Sequence, residues 1–549
     1  MPELTLVASD EEERALREWG WAARDGRVLA VDTETTGLFW YADAVRLVQI
    51  GDRQRGWAVP VNRSRAIQDI CDTARGPIAM HNAKFDLHFL REAGFDTHRW
   101  DIHDTRIMAA IEHPLQSHAL KSLGSELVPE LDPRRLEREL SDEMARNGWS
   151  WRTVPLELPS YWQYAALDTV LAARLHERMP GARDSEAFNI EMTVLPWIVQ
   201  AEQRGTRFNQ RKAARTAVAQ RRYMAELDEW AYCEYKVVLN NRASVAAVFD
   251  DLPLTPTGQP SLAKDVLLEI DHPVADALLK RRAAEKLAGF LESLALYATE
   301  DGRVHPDINQ LAARSSRMAI SKPALHQIPR TKAARGVFEA AQGRRLVLAD
   351  YNQMELCAFA HLSGDAAMVR ACHADDPHTE FAKIVWPGKE VTARRRQIVK
   401  NVTYAILYGA GPATLAGTAG IPHSDAATLL RDYKAKFPGV DDMYDRLAGS
   451  TSVTTWTGRE LRTEDPHALV NYAVQGSCAD WLKQAIVNCA AAGVADYLVL
   501  PVHDELVFDV PAESAASIAE AVDAAMRIDI DPPLTVDSKV VRNWGEAYE

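Results

Sequence analysis

The chain has 549 residues and a formal net charge of −14, and 47% of its residues are hydrophobic and 26% charged. The length predicts roughly three to four domain-sized units, and the composition excludes a largely disordered chain. The negative balance excludes a protein that coats nucleic acid through overall positive charge, but it leaves room for a local basic cleft.

The six cysteines have neither CxxC nor zinc-ligand spacing, which is typical of free thiols in a reducing compartment. The N-terminus is acidic and lacks the apolar segment of a signal peptide, and no apolar run of about 18 residues follows. We therefore expect a cytoplasmic protein without membrane association.

From residue 26 to about residue 183, short apolar runs alternate with helical stretches, which predicts an α/β domain. Its acidic residues fall at the ends of predicted strands and helices: Asp32 and Glu34 in VDTETTGL, Asp86 in HNAKFDLHFL, and Asp168 with Tyr164 in YAALD. Acidic strand ends are common, so the spacing alone is a modest signal for an active site.

Residues 191–297 have long helical patterns, interrupted by the Pro- and Gly-rich segment DLPLTPTGQPS. This pattern predicts an elongated helical subdomain. Its basic cluster includes Arg282 and Lys286, which would either line a groove for nucleic acid or belong to a solvated helix face.

The segment RLVLADY predicts a strand that ends near Asp350, and DYLVLPVHDELVFDVP predicts a hairpin with His503 and Asp504 at its turn. Asp350 and Asp504 would then converge at one edge of a sheet. Two such carboxylates can bind a pair of Mg²⁺ ions for phosphoryl transfer. A single Asp at a strand end is more often a cap or surface residue.

The stretch RRRQIVKNVTYAILYG places Arg396, Lys400, Tyr404 and Tyr408 four residues apart, and therefore near one helix face. Two cations followed by two aromatic rings match a nucleotide, whose phosphates need positive charge and whose base needs a flat partner. The alternative is an amphipathic helix with a basic solvated end.

In order along the chain, DYNQMEL, the 394–409 helix and VHDELVF resemble the three polymerase motifs of family A DNA polymerases, the DNA polymerase I type. TPTGQPS, PALHQIP, DPHT, NYAVQGS and the C-terminal segment extend the resemblance over nearly the whole chain. The resemblance implies α/β and α+β domains: an RNase H-like exonuclease domain (1–187) before a right-hand polymerase domain (188–549). The latter would comprise a thumb (about 190–310), a palm (about 311–365 and 445–549) and fingers (about 366–444).

The resemblance also implies residue roles. Asp350 and Asp504, with the Tyr351 backbone, would hold two metal ions, and Lys400 would protonate the departing pyrophosphate. Deoxynucleotide binding would involve Arg396, Lys400, Tyr404, His378, Glu355 and Tyr351, with Glu355 excluding ribonucleotides. DNA contacts would come from Arg317, Tyr408, Asn471, Gln475, His503, Arg282 and Lys286.

The ordered N-terminal acidic set resembles the DEDD-type 3′→5′ exonucleases, in the form whose third motif is YxxxD. By this resemblance Asp32, Glu34, Asp86 and Asp168 would hold two Mg²⁺ ions, and Tyr164 with Glu34 would orient the attacking water. Asn82 would steady the primer strand or simply cap the following helix.

The implied function is template-directed DNA synthesis with proofreading, in replication and in a compact, phage-like form. Mg²⁺ is expected at two ions per site, with Mn²⁺ as a substitute, and the partners are primer–template DNA and deoxynucleoside triphosphates. A monomer is expected, in the host cytoplasm if phage-encoded; replisome partners are not indicated. Two alternatives are a DNA-binding exonuclease with a non-synthetic polymerase-like half, and an RNA-synthesising relative. His467, Asn352 and the PALHQIP variant depart from the common family pattern around the C-terminal site.

Overall fold

The computed structural model describes residues 2–548. A six-stranded sheet forms the N-terminal domain, with strand order β1-β4-β3-β2-β5-β6. Strand β3 pairs antiparallel with both of its neighbours, β2 and β4, and the other pairings in the sheet are parallel. The strands are β1 (Glu3–Leu6), β2 (Leu29–Thr35), β3 (Val45–Gly51), β4 (Arg55–Pro60), β5 (Ile78–Met80) and β6 (Ile102–Asp104).

Eight helices belong to this domain: α1 (Asp10–Ala22), α2 (Arg65–Thr73), α3 (Ala83–Glu92), α4 (Thr105–Glu112), α5 (Leu120–Leu127), α6 (Pro133–Asn147), α7 (Pro159–Arg178) and α8 (Pro180–Arg183). The longest, α7, lies directly on the sheet. A Cβ added at Gly56 of β4 would lie 2.2 Å from Ala166 O of α7, so the glycine permits this close packing. The alternating apolar residues predicted this α/β arrangement.

Helix α9 (Glu186–Arg204) joins the N-terminal domain to the rest of the chain. Leu195 and Val199 pack in the apolar core of the N-terminal sheet, whereas Val194 and Ile198 pack in the large C-terminal core. One helix therefore forms part of two hydrophobic cores.

The next segment is helical: α10 (Gln210–Tyr235), α11 (Arg242–Ala246), α12 (Lys264–Leu268) and α13 (Pro273–Leu294). Arg221 pairs with Glu292, and Asp228, seven residues further along α10, pairs with Arg281, which precedes Glu292. These pairings show that α10 and α13 run antiparallel, in the predicted elongated subdomain. Two short antiparallel strand pairs lie at the base of this segment in the chain. Strand β7 (Thr206–Arg207), just before α10, pairs with β8 (Arg303–Val304), which comes after α13, and β9 (Asp307–Asn309) pairs with β10 (Ala319–Ser321).

A four-stranded antiparallel sheet, in the order β14-β15-β11-β16, organises the C-terminal half. Its strands are β11 (Arg344–Tyr351), β14 (Leu498–Val502), β15 (Glu505–Pro511) and β16 (Val536–Val541); a separate hairpin is formed by β12 (Ser452–Thr454) and β13 (Glu460–Arg462). The helices are α14 (Lys332–Arg335), α15 (Met354–Ser363), α16 (Ala366–Cys372), α17 (Pro377–Val385), α18 (Ala393–Leu407), α19 (Pro412–Ala419), α20 (His423–Lys436), α21 (Gly439–Leu447), α22 (Leu469–Ala491) and α23 (Ala515–Met526). No helix among residues 2–548 is both long and apolar enough to cross a membrane.

A buried ionic cluster ties α9 to this half of the molecule. Glu191 accepts hydrogen bonds from Arg459 Nη2 at 2.6 Å and from Lys483 Nζ at 2.5 Å, and both cations are almost completely buried. Burial lowers the pKa of Lys483, and the Glu191 charge acts against that shift. Asp480 Oδ1 also lies 3.5 Å from Arg459 Nε, but removing Glu191 would take away the direct partner of both cations in the interior, which is costly.

Glu191→Ala should reduce the free energy of unfolding by about 3–5 kcal/mol, because it breaks a buried ion pair from one side. Urea unfolding followed by circular dichroism measures the effect. Glu292→Ala is the matched control, since it removes an exposed glutamate–arginine pair and should cost no more than about 1 kcal/mol. Equal losses for the two variants would contradict the structural role of the cluster.

Candidate active sites

Asp350 and Asp504 meet at the end of the C-terminal sheet, as the sequence predicts. Asp350 on β11 pairs in register with Glu505, the first residue of β15, and Asp504 immediately precedes that strand. The main-chain N–H of Tyr351 donates a 3.2 Å hydrogen bond to the carbonyl of Asp504. Strand pairing thus holds the two aspartates side by side.

The surroundings of these two carboxylates favour a bound cation. One oxygen of each, Oδ1, is buried without a hydrogen-bond partner in the described part of the chain. Burial, with added repulsion from the charges of Asp504 and Glu505, raises the pKa of Asp350 to about 7. Adjacent carboxylate oxygens without hydrogen-bond donors are the ligand set that Mg²⁺ prefers, so the residues fit a divalent metal.

Two charged residues near this pair were not among the predicted site residues. Arg330 Nη2 lies 3.7 Å from Asp504 Oδ1, and its side chain is 57% exposed. Glu505 is buried and accepts hydrogen bonds from Arg335 Nη1 at 3.0 Å and Trp544 Nε1 at 2.9 Å. Arg330 follows directly after PALHQIP and Glu505 lies within VHDELVF, so motif position was the available signal for both.

The predicted nucleotide-binding face lies on α18. Arg396 makes a two-point ion pair with Asp376, with distances of 2.6 and 3.0 Å, and this pair holds the pKa of Asp376 well below its usual range. Lys400, one turn later, is exposed. The predicted helix thus carries its cations at its first turns, and Asp376 of the DPHT motif is the present partner of Arg396.

His378 and Tyr404 form the next part of this face, with ring centres 6.1 Å apart. The His378 ring is buried, and neither ring nitrogen has a hydrogen-bond partner among the described residues. Burial, helped by the positive charges of Lys400 and Arg396, lowers the pKa of His378 to about 4. The ring is therefore neutral at pH 7.

Glu355 joins two other predicted site residues, Arg317 and Tyr408. Its Oε1 accepts a 2.7 Å hydrogen bond from Arg317 Nη2, and its Oε2 accepts one from the hydroxyl of Tyr408. Tyr408 lies at the C-terminal end of α18. The carboxylate is thereby fixed between the start of α15 and the end of α18.

The other predicted DNA contacts lie on three elements. Asn471 and Gln475 lie on α22; Asn471 Oδ1 is buried and has no hydrogen-bond partner in the described part of the chain, and Gln475 Oε1 accepts from Ser315 Oγ at 3.2 Å. His503 has a left-handed backbone at the β14–β15 turn, and its Nε2 lies 3.0 Å from His326 O. On α13, Lys286 is exposed and Arg282 donates to Leu262 O at 2.6 Å.

The N-terminal carboxylates come from three neighbouring elements. Asp32 and Glu34 lie on β2, Asp86 lies in the first turn of α3, and Asp168 lies on α7. Strand β5, which leads into α3, is adjacent to β2, and Thr33 Oγ1 donates a 2.7 Å hydrogen bond to Asp86 Oδ1. The sheet therefore brings together the acidic set that the sequence predicts.

Burial is the main influence on the pKa values of this set, and repulsion between its charges adds to it. Burial raises the pKa of Asp32 to about 7, and burial with the charge of Asp32 raises the pKa of Glu34 to about 8. Burial and the charge of Asp32 also raise the pKa of Asp86 well above its ordinary value. Asp86 and Asp168 are buried and Asp32 and Glu34 partly buried, and such a carboxylate cluster suits divalent metal ions chemically. As placed, however, no three His, Cys, Asp or Glu side chains of residues 2–548 form a metal-holding group.

Lys121 of α5 lies next to this acidic set and pairs with one of its members. Its ammonium contacts Asp168 Oδ1 and lies 4.1 Å from the centre of the Tyr164 ring. Burial lowers the pKa of Lys121 to about 8, although the charges of Asp32 and Glu34 oppose the shift. Nothing in its sequence context, LKSL, distinguishes it from a surface lysine, so sequence reasoning missed it.

The side chain of Asn82 does not cap α3. Asn82 occupies the N-cap position of α3 with a left-handed backbone, but its side chain makes no capping hydrogen bond. Its Oδ1 instead accepts from Arg106 Nη1 at 2.8 Å. Asp104 is the cap, since it accepts from the backbone N–H groups of residues 82, 83, 106 and 107. Asp104 is therefore a structural residue and Asn82 remains free of that role.

A second polar cluster attaches α3 to the C-terminal half. Glu202 of α9 is 3% exposed and binds both Lys84 Nζ and His88 Nε2 at 2.5 Å. Lys84 also pairs with Asp307 of β9. Lys84 and His88 flank Asp86 on α3, so the helix that carries one predicted metal ligand is anchored outside its own domain.

Comparison with known proteins identifies a family for each half of the chain. The family model of DNA polymerase family A matches residues 210–546, and a family model of 3′-5′ exonucleases matches residues 8–181. The DNA polymerase of Mycobacterium phage L5 is 26% identical over 95% of this chain and 93% of its own length. DNA polymerase I of Chloroflexus aurantiacus is 29% identical over 99% of this chain, which spans 64% of that protein.

The solved structure of the POL domain of Pol1 from M. smegmatis, in complex with DNA primer-template and dNTP, is also similar. It aligns over 100% of both chains with a TM-score of 0.84 and 22% identity. This likeness confirms the predicted fold, an α/β N-terminal domain followed by the polymerase fold.

The N-terminal carboxylates should make the metal-free protein less stable as the pH rises. Asp32 and Glu34 have ordinary values of 3.8 and 4.5 and folded-state pKa values of about 7 and 8. The folded state therefore binds more protons than the unfolded state from about pH 4 to pH 8, and stability is lost as the pH rises through that window. The expected loss is at least about 1.4 kcal/mol, the free energy of a tenfold change in a protonation equilibrium.

Unfolding midpoints in EDTA at pH 5 and pH 8 test this expectation. The double variant Asp32→Asn, Glu34→Gln should lose less stability than the native protein over this interval, because its amides do not titrate. Asp142→Asn, at an exposed position, should behave like the native protein. An identical pH dependence for all three proteins would contradict the expectation.

Proposed function

The chain belongs to DNA polymerase family A and carries a 3′-5′ exonuclease domain, and on this premise we propose that it extends a DNA primer along a template and proofreads its product. The observation that carries the proposal is the presence of two separate carboxylate sites, Asp350 with Asp504 and the N-terminal acidic set. We propose the exonuclease domain as residues 1–187 and the polymerase domain as residues 188–549, with the thumb, palm and fingers divided as the sequence predicts.

Proteins of this family and of the 3′-5′ exonucleases depend on divalent metal ions. At the polymerase site, Asp350, Asp504 and the main-chain carbonyl of Tyr351 would hold Mg²⁺, at two ions per site. When bound, the metal supplies the positive charge that activates the attacking oxygen and stabilises the leaving one. The two unpartnered buried oxygens of Asp350 and Asp504 support this assignment.

The triphosphate would bind along α18. Arg396 exchanges Asp376 for the phosphates, Lys400 contacts them and protonates the pyrophosphate as it leaves, and the neutral His378 donates a hydrogen bond from one of its free ring nitrogens. Arg396 is suited to this exchange because its guanidinium binds carboxylate and phosphate in the same two-point geometry. Fixed charges aimed at the developing negative charge are expected to be the largest catalytic contribution.

The sugar and base would lie beyond the phosphates. Tyr404 packs near the incoming sugar and base, and Glu355, held between Arg317 and Tyr408, crowds the 2′ position of the sugar. This arrangement selects deoxynucleotides. The remaining proposed contacts with template, primer or minor groove are Arg317, Tyr408, Asn471, Gln475, His503, Arg282 and Lys286.

At the exonuclease site, Asp32, Glu34, Asp86 and Asp168 would hold Mg²⁺, while Glu34 and Tyr164 orient the attacking water. Asn82 would steady the primer strand. A cavity of about 370 Å³ lies beside α3, the helix that carries Asp86, and its lining includes Asn82, Arg106 and residues 305–311. Its position supports entry of a single-stranded 3′ end beside α3. We expect the protein to act as a monomer in the cytoplasm, with Mn²⁺ able to replace Mg²⁺.

Single substitutions should separate the two activities. Asp504→Ala should reduce primer extension by at least about 10³-fold and leave excision intact, and Asp32→Ala should do the reverse. A labelled primer–template with Mg²⁺, incubated with and without the four deoxynucleotides, reports both activities as longer or shorter primers. Asp496→Ala, at an exposed position before β14, should change neither.

Two results would contradict the two-site proposal. One is the loss of both activities in a single variant that remains folded. The other is shortening of the primer by the native protein under both conditions, which would leave the C-terminal half as a DNA-binding platform for a nuclease.

Glu355→Ala should weaken the discrimination against ribonucleotides, because it removes the carboxylate that crowds the 2′ position. The ratio of kcat/KM for dATP to that for ATP should fall by ~10- to 200-fold, the range for one steric contact. Glu355→Gln keeps the volume and should retain most of the discrimination. An unchanged ratio in Glu355→Ala would show that another residue excludes the 2′ hydroxyl.

A further inference from the structure

Lys121 lies beside the carboxylates of the proposed exonuclease site. Its side chain is only 11% exposed, and its ammonium contacts Asp168 Oδ1 beside the Tyr164 ring. Its charge also stabilises the ionised forms of Asp32 and Glu34. A single amine therefore interacts with one proposed metal ligand directly and with two others through space.

The position of Lys121 is set by backbone packing. It lies at the start of α5, and Gly124 on the next turn faces α7, the helix that carries Asp168 and Tyr164. A Cβ at Gly124 would lie 2.7 Å from Leu171 Cδ2, so α5 and α7 are as close as a glycine allows. The lysine is thus held against the carboxylates and does not reach them from a flexible surface loop.

Burying an ammonium group costs several kcal/mol of desolvation, and attraction to nearby negative charges must offset that cost. Here it faces carboxylates on β2 and α7, in a cluster whose like charges repel one another. One positive charge relieves part of that repulsion and leaves a net negative site. The remaining negative charge is what attracts a divalent cation.

We propose that Lys121 is a positioning residue that acts as a stand-in cation: it holds Asp168 and Tyr164 in place in the metal-free enzyme and gives up Asp168 Oδ1 when a divalent cation binds. The inference rests on the proposed metal role of the exonuclease carboxylates. It distinguishes Lys121 from an ordinary structural ion pair, because a stand-in competes with the metal and becomes dispensable once the metal is bound.

The test uses the full chain with Asp350→Asn and Asp504→Asn in every sample, so that Mg²⁺ binding reports the exonuclease site. Lys121→Met and Lys121→Gln remove the charge, and Gln keeps a hydrogen-bond donor. Calorimetric titration with Mg²⁺ should show binding about tenfold tighter in both. Their Tm should fall in EDTA and return to that of the parent at saturating Mg²⁺. Lys121→Arg keeps the charge and should match the parent, as should Lys264→Met at an exposed site.

Several results would overturn the inference: unchanged or weaker Mg²⁺ binding in the charge-removing variants, an equal loss of Tm with and without Mg²⁺, failure of both variants to fold even with Mg²⁺, or Lys121→Arg behaving like Lys121→Met. If the parent protein shows no Mg²⁺ binding, or only binding that Asp32→Ala leaves intact, the proposed function is overturned as well. Mg²⁺ binding by the parent together with unchanged binding in Lys121→Met overturns the inference alone.

Discussion

The antiparallel register between β11 and β15 is the constraint on which the C-terminal site depends. It places Asp350 opposite Glu505, and therefore beside Asp504, because the buried apolar pairs Leu348 with Val507 and Val347 with Phe508 fix the alignment further along. A slip of one residue would turn every side chain of β11 to the other face of the sheet. Apolar packing that touches no substrate thus determines whether two distant carboxylates form one site.

The two sites differ in the cation that offsets the negative charge of their carboxylates. At the C-terminal site, the nearby cation Arg330 is largely exposed and lies 3.7 Å from Asp504, so water screens much of its charge. At the N-terminal site the cation, Lys121, is buried and in direct contact with Asp168. The polymerase carboxylates therefore each keep an oxygen without a hydrogen-bond partner among residues 2–548, whereas Lys121 partly neutralises the exonuclease carboxylates.

Much of this architecture could be predicted from the sequence, because the relevant signals are local. The apolar strand before Asp350, the hairpin around Asp504 and the helix that carries Arg396 and Lys400 follow from periodicity and turn position. The pairing of Arg396 with Asp376 and the enclosure of Glu355 by Arg317 and Tyr408 do not. Those contacts depend on how elements pack, which spacing along one element does not encode.

The same reason explains the residues that were missed. Lys121 has the sequence context of a surface lysine, and only the close packing of α5 on α7 buries it. Asp104 also lies at a strand end, but its carboxylate accepts backbone hydrogen bonds at the starts of α3 and α4 and so caps two helices. Residue type and spacing identified the acidic sets, and tertiary packing decided which of the surrounding charges act on them.

Helix α9 gives the molecule a property that neither site has alone. Its Leu195 and Val199 belong to one hydrophobic core and its Val194 and Ile198 to the other, and its Glu202 binds the helix that carries Asp86. Unfolding of either half would remove packing partners of this helix and expose Glu202, Lys84 and His88 to solvent. The two halves are therefore coupled in cooperative unfolding, and damage to the synthetic half is transmitted to the half that corrects its errors.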